Sequence, residues 1–494
     1  MPVSNFHKNA QRIFYPSFDG GLNLSVPPES LSRNELKEAV NVEFSTNTGA
    51  MTVRGGLVWS AEFKYDIDAA VPVAGRRSFL VRRKGKKTLQ YFRWNYIWPV
   101  SGSLTGDGDI SIVAWDNDFL IASGGKLQKF TEDNTPRLET ISSSPSNCRL
   151  VFVRDGRVGV VDGDDTIRFS GVGDCTQWTN DPSDESTAQF IEIGYKDGMN
   201  IKAVVPLSRD LIIFKSPNDE TDKGTIFRLT GDSANFTWAV LEATHNTGTF
   251  SQRSVQAVAN DVYYITVSGI ASLSSVTSYG DIKAQWPDRK VSPALIPLLN
   301  STAELWNVPV KQQLWVLPKK DASEIWVLDY NRGIWTTFQF PEPIVYAAGV
   351  DNALYVFMGK NLYRVEDGYL VDEVKIGDKR EIKAFMRMGT ILNGKQTLIK
   401  GVFASFSLLP GCEAVLKLGN FKMKFTGGGS PDYIYDPPND TQKASEDTDP
   451  LYPASGTLTS RRQCIVRDWA ITPEVEITGG GCALSTLGLE TVEV

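Results

Sequence analysis

One pattern recurs along the middle of the chain and constrains its fold more than any other feature: a short strand, a polar turn and then a strongly apolar strand. Copies occupy residues 111–123, 149–162, 202–215, 255–266, 305–317 and 345–358, and residues 75–83 read as a diverged first copy. Their turns follow one another at intervals of roughly 37 to 55 residues. A repeat of about 40 to 50 residues that contains several strands is typical of a β-propeller blade.

The repeat predicts a mostly β protein in which residues 67–379 form a β-propeller of six or seven blades. Residues 325–340 add a hairpin of two alternating strands, as expected for the outer strands of a blade. Trp178, Trp238 and Trp335 occupy comparable late positions in their units. We expect these large side chains to pack between neighbouring sheets.

The two ends of the chain differ from the repeats. Residues 1–66 predict an irregular N-terminal platform segment that contains one short helix and one strand. Residues 380–494 contain further strands, separated by loops rich in Gly, Pro, Asp and Thr. This composition favours a β-sandwich-like C-terminal domain.

Capping signals predict two short helices. Ser32 and Glu35 stand three residues apart, as in a capping box, and apolar residues follow them. Ser292 before Pro293 matches a helix N-terminus and predicts a second short helix at 291–300.

The composition excludes several classes of function. With 51 basic and 58 acidic residues the chain has a formal net charge of −7, whereas a whole-chain grip on nucleic acid needs a basic excess. The N-terminus lacks the apolar core of a signal peptide, and no apolar run approaches the roughly 20 residues of a membrane helix. Five widely spaced cysteines without a CxxC pair favour reduced thiols over disulfides or zinc. We therefore expect a soluble protein made in a cytoplasm.

Acidic residues offer the main alternative to a structural role. Loops at 107–109, 162–165 and 446–449 cluster Asp and Glu, but none has the spacing of an EF-hand calcium loop. Paired carboxylates around a propeller's central pocket would suit a polysaccharide hydrolase or lyase, which is the alternative function. Only two histidines, His7 and His245, are present for a catalytic triad. We predict no catalytic, metal-binding or cofactor-binding residue, and a protein that is not an enzyme.

A basic cluster surrounds Gly85 and is our candidate docking site. Its members are Arg76, Arg77, Arg82, Arg83, Lys84, Lys86 and Lys87. The sequence RKGKK predicts the tip of a β-hairpin, which is either an ordinary solvated turn or a surface that docks on an acidic protein or a phosphate. In a ring of subunits the cluster would repeat with the symmetry and form a basic collar.

Several motifs, taken in order, resemble one viral family. They are PSFDGGLNLSVPPESL at 16–31, EAVNVEF and NTGAMTVRGGL within 38–57, IRFSGVGDCTQWT at 167–179, LSRDLIIFKS at 207–216, NDVYYITVSGIASLS at 260–274 and EIWVLDYNRGIWTTF at 324–338. The chain resembles the tail nozzle proteins of short-tailed phages (podoviruses), also called tail tubular protein B, hub or packaged-DNA stabilisation proteins. The shared features are a Gly-Gly-Leu-Asn start, an Asn-Val dipeptide and an Arg-Gly that ends a strand.

The resemblance implies a β-propeller with a platform domain built from the N- and C-terminal segments, and six copies in a ring. The ring would lie below the portal and an adaptor ring, and would contact tail fibre, spike or needle proteins. It would retain packaged double-stranded DNA and conduct it during ejection without binding it specifically. The implied location is the virion tail, with no membrane partner, and no catalytic residue carries over from this structural family.

A gate in the DNA channel is a separate hypothesis. The loop at 427–453 is rich in proline, and Tyr433, Tyr435, Pro437 and Pro438 are the candidate gate residues. An ordinary surface loop is the alternative. The channel itself should be neutral or acidic, because basic side chains would bind phosphate and stall the DNA.

Overall fold

The structure is a computed structural model that describes most of the chain. The described residues are 10–44, 50–73, 77–207, 209–231, 237–276, 281–426 and 458–493. The candidate gate residues Tyr433, Tyr435, Pro437 and Pro438, and Arg76 of the basic cluster, lie outside these ranges. Within them, none of the helices is long and apolar enough to span a membrane.

Six strands precede the first complete repeat in the part of the chain that the structure describes. They are β1 (Ala10–Tyr15), β2 (Gly21–Leu22), β3 (Glu35–Val40), β4 (Val42–Phe44), β5 (Met51–Val53) and β6 (Gly56–Glu62). A 3₁₀ helix at Pro28–Ser30 separates β2 from β3.

The described residues of the central region form seven four-stranded antiparallel units, so the fold is a seven-bladed β-propeller. Blade 1 contains β7 (Ile67–Pro72), β8 (Ser78–Arg83), β9 (Leu89–Arg93) and β10 (Tyr96–Pro99); blade 2 contains β11 (Ser111–Trp115), β12 (Asp118–Ala122), β13 (Gln128–Thr131) and β14 (Arg137–Thr140); blade 3 contains β15 (Cys148–Arg154), β16 (Arg157–Asp162), β17 (Thr166–Phe169) and β18 (Gln189–Glu192). Blade 4 contains β19 (Asn200–Leu207), β20 (Asp210–Ser216), β21 (Thr225–Thr230) and β22 (Ala239–His245); blade 5 contains β23 (Val255–Val258), β24 (Asp261–Thr266), β25 (Gly269–Val276) and β26 (Asp281–Gln285). Blade 6 contains β27 (Glu304–Val308), β28 (Gln313–Leu317), β29 (Glu324–Asp329) and β30 (Ile334–Gln339); blade 7 contains β31 (Ile344–Val350), β32 (Ala353–Met358), β33 (Asn361–Glu366) and β6.

Blade 7 closes the ring with a strand from much earlier in the sequence. Strand β6 pairs antiparallel with β33, with Val58 opposite Arg364 and Gly56 opposite Glu366. The first strand of each blade lies nearest the propeller axis, where β31 contacts β7 and β11 contacts β15. Because β6 precedes residue 67, the propeller takes one strand from the predicted N-terminal segment.

Apolar side chains fill the space between neighbouring blades. Buried clusters join each blade to the next around the ring. Between blades 7 and 1, for example, the rings of Phe79 and Phe357 meet edge to face with centroids 5.0 Å apart. Strand β20 is buried along nearly its whole length because both of its faces contact neighbouring sheets. Burial on both faces explains why the second strand of each repeat is almost continuously apolar.

The described chain continues after blade 7 with strands that leave the propeller. They are β34 (Val371–Lys375), β35 (Asp378–Glu381), β36 (Lys383–Met388), β37 (Ile391–Leu408), β38 (Glu413–Leu418), β39 (Phe421–Thr426), β40 (Leu458–Ile471), β41 (Pro473–Thr478) and β42 (Cys482–Glu493). Strands β34 and β35 form a separate two-stranded hairpin.

Strands from the two ends of the chain share two sheets. One contains β1, β4, β5, β42, β37 and β40, and the other extends blade 6 in the order β30–β3–β36–β41–β38–β39. Strand β3 is the link, because it pairs parallel with β30 at Val40 and Thr337 and antiparallel with β36. The sheet of blade 6 therefore runs without a break into the C-terminal region. Phe406, Leu416 and Leu487 belong to the buried cluster that packs the two sheets together.

The helix predicted after Ser32 is wrong, since this segment is strand β3. The Ser32 backbone N–H still donates to Oε2 of Glu35 at 3.2 Å, as in half of a capping box. Leu36 and Ala39 are among the apolar residues that follow Glu35, and both are buried in the cluster between the sheets. Pairing with β30 and β36 gives the backbone partners on both sides, and this tertiary context outweighs the local helix signal.

The second predicted helix is confirmed. Helix α1 (Ser292–Leu295) continues as a 3₁₀ helix at Ile296–Leu298, and Val291 rather than Ser292 holds the capping position. Further 3₁₀ turns lie at Thr221–Lys223, Gln252–Ser254 and Pro309–Lys311.

The packing predicted for the tryptophans is also confirmed. Trp335 is fully buried. Trp178 packs against the cluster between blades 2 and 3, and Trp238 packs against the cluster between blades 3 and 4.

Candidate functional site

The predicted hairpin tip of the basic cluster lies between β8 and β9, but much of its charge is engaged within the chain. Arg82 Nε donates to Oδ1 of Asp68 at 2.7 Å, and its Nη1 donates to the carbonyl of Gly108 at 2.8 Å. The Arg83 guanidinium lies 3.6 Å from the centroid of the Tyr65 ring. Arg82 and Arg83 therefore stabilise blade 1.

The lysines of the tip are more accessible. Lys84 and Lys86 are exposed. Lys87 is half-buried, and its Nζ lies 3.1 Å from Oδ2 of Asp107. Lys84 and Lys86 are thus the residues of this tip that are most accessible for contact with an acidic partner. The docking role of the tip stays a prediction.

Arg77 does not belong to the same surface. It precedes β8, whereas Arg83 ends it, and a six-residue strand is about 20 Å long. Because Ser78 pairs with Arg93, Arg77 lies at the opposite face of the propeller, beside the turn that begins at Trp94. The cluster defined by sequence therefore divides between two faces.

A buried ion pair that sequence reasoning missed joins the ends of the chain to the propeller. Arg54 and Asp372 form a bidentate pair with N–O distances of 2.9 and 2.6 Å, and their side chains are 2% and 7% exposed. Arg54 also donates from Nε to Oδ1 of Asn41 at 3.0 Å and from Nη2 to the carbonyl of Gln339 at 3.0 Å. Asp372 accepts a further hydrogen bond from the backbone N–H of Leu57 at 3.1 Å.

Asn41 extends this network to the C-terminal strands. It lies between β3 and β4 with φ of 56°, a left-handed conformation that Asn tolerates. Its Nδ2 donates to the carbonyl of Lys383 at 2.8 Å, and its Oδ1 accepts from the backbone N–H of Gln339 at 2.7 Å. Asn41 and Arg54 are the residues of the Asn-Val and Arg-Gly motifs, so the motifs were the available signal. We call the Arg54, Asp372 and Asn41 network the Arg54 joint.

At one end of the propeller axis, side chains from different blades meet. Arg253, just before blade 5, donates from Nη1 to Oε1 of Glu304 in blade 6 at 2.9 Å. Its Nε lies 3.5 Å from Oδ1 of Asp109, which precedes blade 2. Trp306 donates from Nε1 to Oε2 of Glu304 at 3.1 Å. Blade 2 lies across the axis from blades 5 and 6, so this axial group spans the centre of the propeller.

Burial and charge act in opposite directions in the axial group. Burial would lower the pKa of Arg253, but the carboxylates of Glu304 and Asp109 outweigh it and raise the pKa. Burial raises the pKa of Glu304, and Arg253 offsets part of that effect. One guanidinium thus holds both carboxylates, and the group cross-links the ring.

A cleft of about 480 Å³ lies where turns of blades 6 and 7 face β4. Lys311 Nζ lies 2.8 Å from Oε1 of Glu43 and 2.6 Å from Oδ1 of Asp367. Arg332 Nε donates to Oδ2 of Asp329 at 3.0 Å. Both cations of the lining are therefore paired with carboxylates that also line the cleft, and these pairs tie its walls together.

Other chemistry-bearing residues are dispersed. Among the described residues, no three His, Cys, Asp or Glu side chains are grouped so as to hold a metal ion. Cys148, Cys175, Cys412 and Cys482 carry free thiols. Burial raises the pKa of Cys148 to about 12, so this thiol stays protonated at neutral pH.

The topology and the blade packing define the chain as a seven-bladed β-propeller protein in which one blade continues into strands from both chain ends. No protein-family model and no curated protein matches the sequence. Solved structures are similar to it in fold. The WD40 β-propeller domain of Doa1 is 14% identical, with a TM-score of 0.40 over 63% of this chain and 96% of that chain. The β-propeller domain of Myceliophteria thermophila Cps50 (Swd1) is 8% identical, with a TM-score of 0.41 over 64% and 100%. BamB from Moraxella catarrhalis is 11% identical, with a TM-score of 0.34 over 63% and 97%.

Proposed function

We propose that this chain is the subunit of the tail nozzle of a short-tailed phage. Six copies form a ring below the portal and adaptor, retain packaged DNA and conduct it during ejection. The observation that carries the proposal is the ordered series of motifs between residues 16 and 338. The partners are the adaptor ring, tail fibre, spike or needle proteins and passing double-stranded DNA, and the location is the virion tail.

The places of the motif residues in the fold support this proposal. Asn41 and Arg54 build the Arg54 joint. Gly21, from the Gly-Gly-Leu-Asn motif, has φ of 63°, and a Cβ there would lie 2.4 Å from Cγ2 of Ile334 in blade 6. The motifs that carry the resemblance thus hold the N-terminal segment against the propeller.

The mechanical design suits a wall around DNA. A closed propeller has few open sheet edges, and the sheet of blade 6 continues through β3 into the C-terminal strands. The subunit can therefore transmit force from one part to the other. Its net charge of −7 has the sign that lets DNA pass without being held.

In this proposal the DNA follows the axis of the ring and not the axis of the propeller. The axial group of Arg253, Glu304 and Asp109 spans the propeller axis. The conduit is accordingly the space that six subunits enclose.

Electron microscopy of the purified protein tests whether it forms a ring. Binding to particles tests whether that ring lies below the portal and adaptor. We expect six-fold rings with an axial hole, and binding to particles that carry portal and adaptor but lack the nozzle. Failure to bind such particles contradicts the nozzle, whatever the oligomeric state.

We further propose that the protein makes and breaks no bond. The isolated chain should leave capsular polysaccharide intact over long incubation. Sustained depolymerisation would favour the alternative, a tail-associated polysaccharide hydrolase or lyase.

A further inference from the structure

The hairpin between β9 and β10 of blade 1 has an unusual tip. Trp94 and Asn95 form its two-residue loop, with φ of 49° and 67°. Such loops favour Asn, Asp or Gly, because a bulky side chain in the left-handed region is strained. In two other propeller hairpins the first loop position belongs to Asp155 and Asp351, each with φ of 49°.

Burial of the Trp94 side chain within the chain does not compensate for this backbone strain. Trp94 is 65% exposed and Tyr96 is 69% exposed. The Arg93 guanidinium lies 3.8 Å from the Trp94 ring centroid, and Arg77 flanks the tip because Ser78 pairs with Arg93. We call Arg77, Arg93, Trp94 and Tyr96 the Trp94 patch. Trp, Tyr and Arg dominate binding energy at protein interfaces, and backbone strain concentrates at functional sites.

A complementary surface lies two blades away, in the connection between the third and fourth strands of blade 3. Residues 170–188 contain four acidic residues and no Lys or Arg. We call residues 171–186 the acidic segment. It follows the third strand of its blade, as Trp94 follows the third strand of blade 1, so both surfaces lie on the same face of the propeller.

The carboxylates of the acidic segment are held in fixed turns. Asp174, Asp181 and Asp184 each accept hydrogen bonds from the side chain and the backbone N–H of the residue two positions later. These hydrogen bonds lower the pKa of all three carboxyls, which therefore remain ionised. Glu185 adds a fourth acid, and Val172, 53% exposed, provides an apolar surface between them.

A buried arginine holds the backbone of this segment in place. Arg157 is fully buried, and its Nη1 donates to the carbonyls of Ser170 at 2.7 Å and Thr187 at 2.5 Å. Its Nη2 donates to the carbonyl of Glu185. The acidic segment is thus organised before binding, which reduces the entropy lost when a partner docks.

We propose that the Trp94 patch of one copy binds the acidic segment of a second copy of this chain. The patch offers indole and phenol donors beside two guanidinium groups, of which Arg93 also pairs with Glu132 and Arg77 also lies over the Tyr355 ring. The segment offers carboxylate acceptors around an exposed valine. Blades 1 and 3 are separated by about 100° around a seven-bladed propeller. The two contacts of a subunit in a planar six-membered ring are separated by about 120°, so this head-to-tail contact favours a closed ring over a straight filament. The ring size rests on the proposed function, whereas the contact itself does not.

Two variants of the full chain, each altering one surface, test the contact. Trp94→Asn removes the anchor and places a preferred residue in the strained turn. The second variant combines Asp174→Asn, Asp181→Asn, Asp184→Asn and Glu185→Gln, which removes charge and keeps the turns. Tyr195→Ala is the matched control, because Tyr195 is 61% exposed in a connection on the other face.

Analytical ultracentrifugation should show that each variant self-associates about 30-fold more weakly than wild type, as for loss of an interface hot spot. Trp94→Asn should melt no lower than wild type, a result that a merely structural role for Trp94 would not give. Tyr195→Ala should associate like wild type.

Mixing the two variants separates a head-to-tail contact from a symmetric one. Each variant retains one intact surface, so the mixture should form one-to-one heterodimers and nothing larger. Wild-type assembly in either variant, no heterodimer on mixing, or a wild-type monomer at the highest soluble concentration would each overturn the contact. Binding to particles tests the proposed nozzle function separately from the contact. If both variants still form rings that bind particles, the contact is wrong and the nozzle function is not contradicted.

Discussion

Lys215 shows how a single side chain can lock two blades. It lies on β20 of blade 4 with a fully buried side chain. Its Nζ lies 2.7 Å from Oδ1 of Asp165, 2.8 Å from Oδ1 of Asp197, and 2.7 and 2.9 Å from the carbonyls of Ile193 and Gly194. All four acceptors belong to blade 3 or to the connection that follows it. Burial of the ammonium is tolerated because its N–H groups and its charge have partners.

We expect Lys215→Met to lower the free energy of unfolding by about 3 kcal/mol, because it leaves two carboxylates at a blade interface without their cation. Lys223→Met is the control. Lys223 is 65% exposed and pairs with the exposed Glu220, and loss of such a pair costs about 1 kcal/mol or less. Urea unfolding measures both, and equal losses in the two variants would refute the lock.

The same lock predicts a dependence on pH through Asp165. Burial would raise the pKa of this carboxyl, but hydrogen bonds from Lys215 and from the backbone N–H of Lys196 outweigh it and lower the pKa. A carboxyl with a lowered pKa stabilises the fold above its unfolded pKa of about 4, and the contribution is lost as pH falls through the folded value. Asp165→Asn should therefore destabilise the protein at pH 7 and lose stability less steeply below about pH 4. Urea unfolding at pH 7, 5 and 3.5 checks this, and a wild-type slope in the variant would count against it.

At the scale of elements, local pattern and long-range pairing explain which predictions succeeded. The repeated hairpins were predictable, because an apolar strand after a polar turn is visible within a dozen residues. The strand character of β3 and the place of β6 in blade 7 were not. Both strands take partners from the distant half of the chain, and nothing within β3 or β6 identifies β36 or β33.

Candidate sites were likewise predictable where the signal is local in sequence and unpredictable where it depends on long-range pairing. Residues 77 and 82–87 are close in sequence, yet one strand separates them onto two faces. Arg54 and Asp372 lie 318 positions apart, so no local signal could pair them. Lys215 did leave a signal, because it interrupts the apolar run LIIFKS, where a charge needs a partner.

The Arg54 joint predicts how the C-terminal strands are held. Arg54→Met should cost about 3–5 kcal/mol, since it leaves Asp372 buried without a cation. Amide hydrogen exchange should rise first in β36 and β6, the strands next to the joint. Arg387→Met is the control, because Arg387 is 36% exposed and bonds Glu38 and Glu474 near the surface. Equal exchange in both variants would show that the joint is not what couples these strands.

Removal of the exposed charges at the tip between β8 and β9 should change assembly without changing folding. Lys84→Ser with Lys86→Ser should alter the unfolding free energy by about 0.5 kcal/mol at most, because both side chains are exposed. Docking to particles that carry portal and adaptor should weaken, most clearly at low salt. Lys319→Ser with Lys320→Ser removes the same charge from an exposed tip on the same face of blade 6. Equal docking by the two double variants would remove the special role of the tip.

At the scale of the whole molecule, the axial group connects blades in addition to the buried clusters at the blade interfaces. Buried clusters join each blade to its neighbours, whereas the contact of Arg253 with Asp109 connects blade 5 to blade 2, and these two blades share no interface. Movement of blade 2 away from blades 5 and 6 would therefore also break this contact. Its contribution should be visible in the stability of the entire propeller and not of one blade.

Arg253→Met tests that contribution and fixes the sign of its pH dependence. Without the guanidinium, burial should raise the pKa of Glu304 further above its unfolded value of about 4.3. A raised carboxyl pKa means that stability is full below the unfolded pKa and is lost as pH rises through the folded value. The variant should thus lose about 3–5 kcal/mol at pH 7.5 and clearly less at pH 4.5. The double variant Arg253→Met with Glu304→Gln should recover part of the loss at pH 7.5, because it removes the unpaired charge. Urea unfolding at the two pH values measures this, and an equal loss at both would mean that Arg253 acts through packing rather than charge.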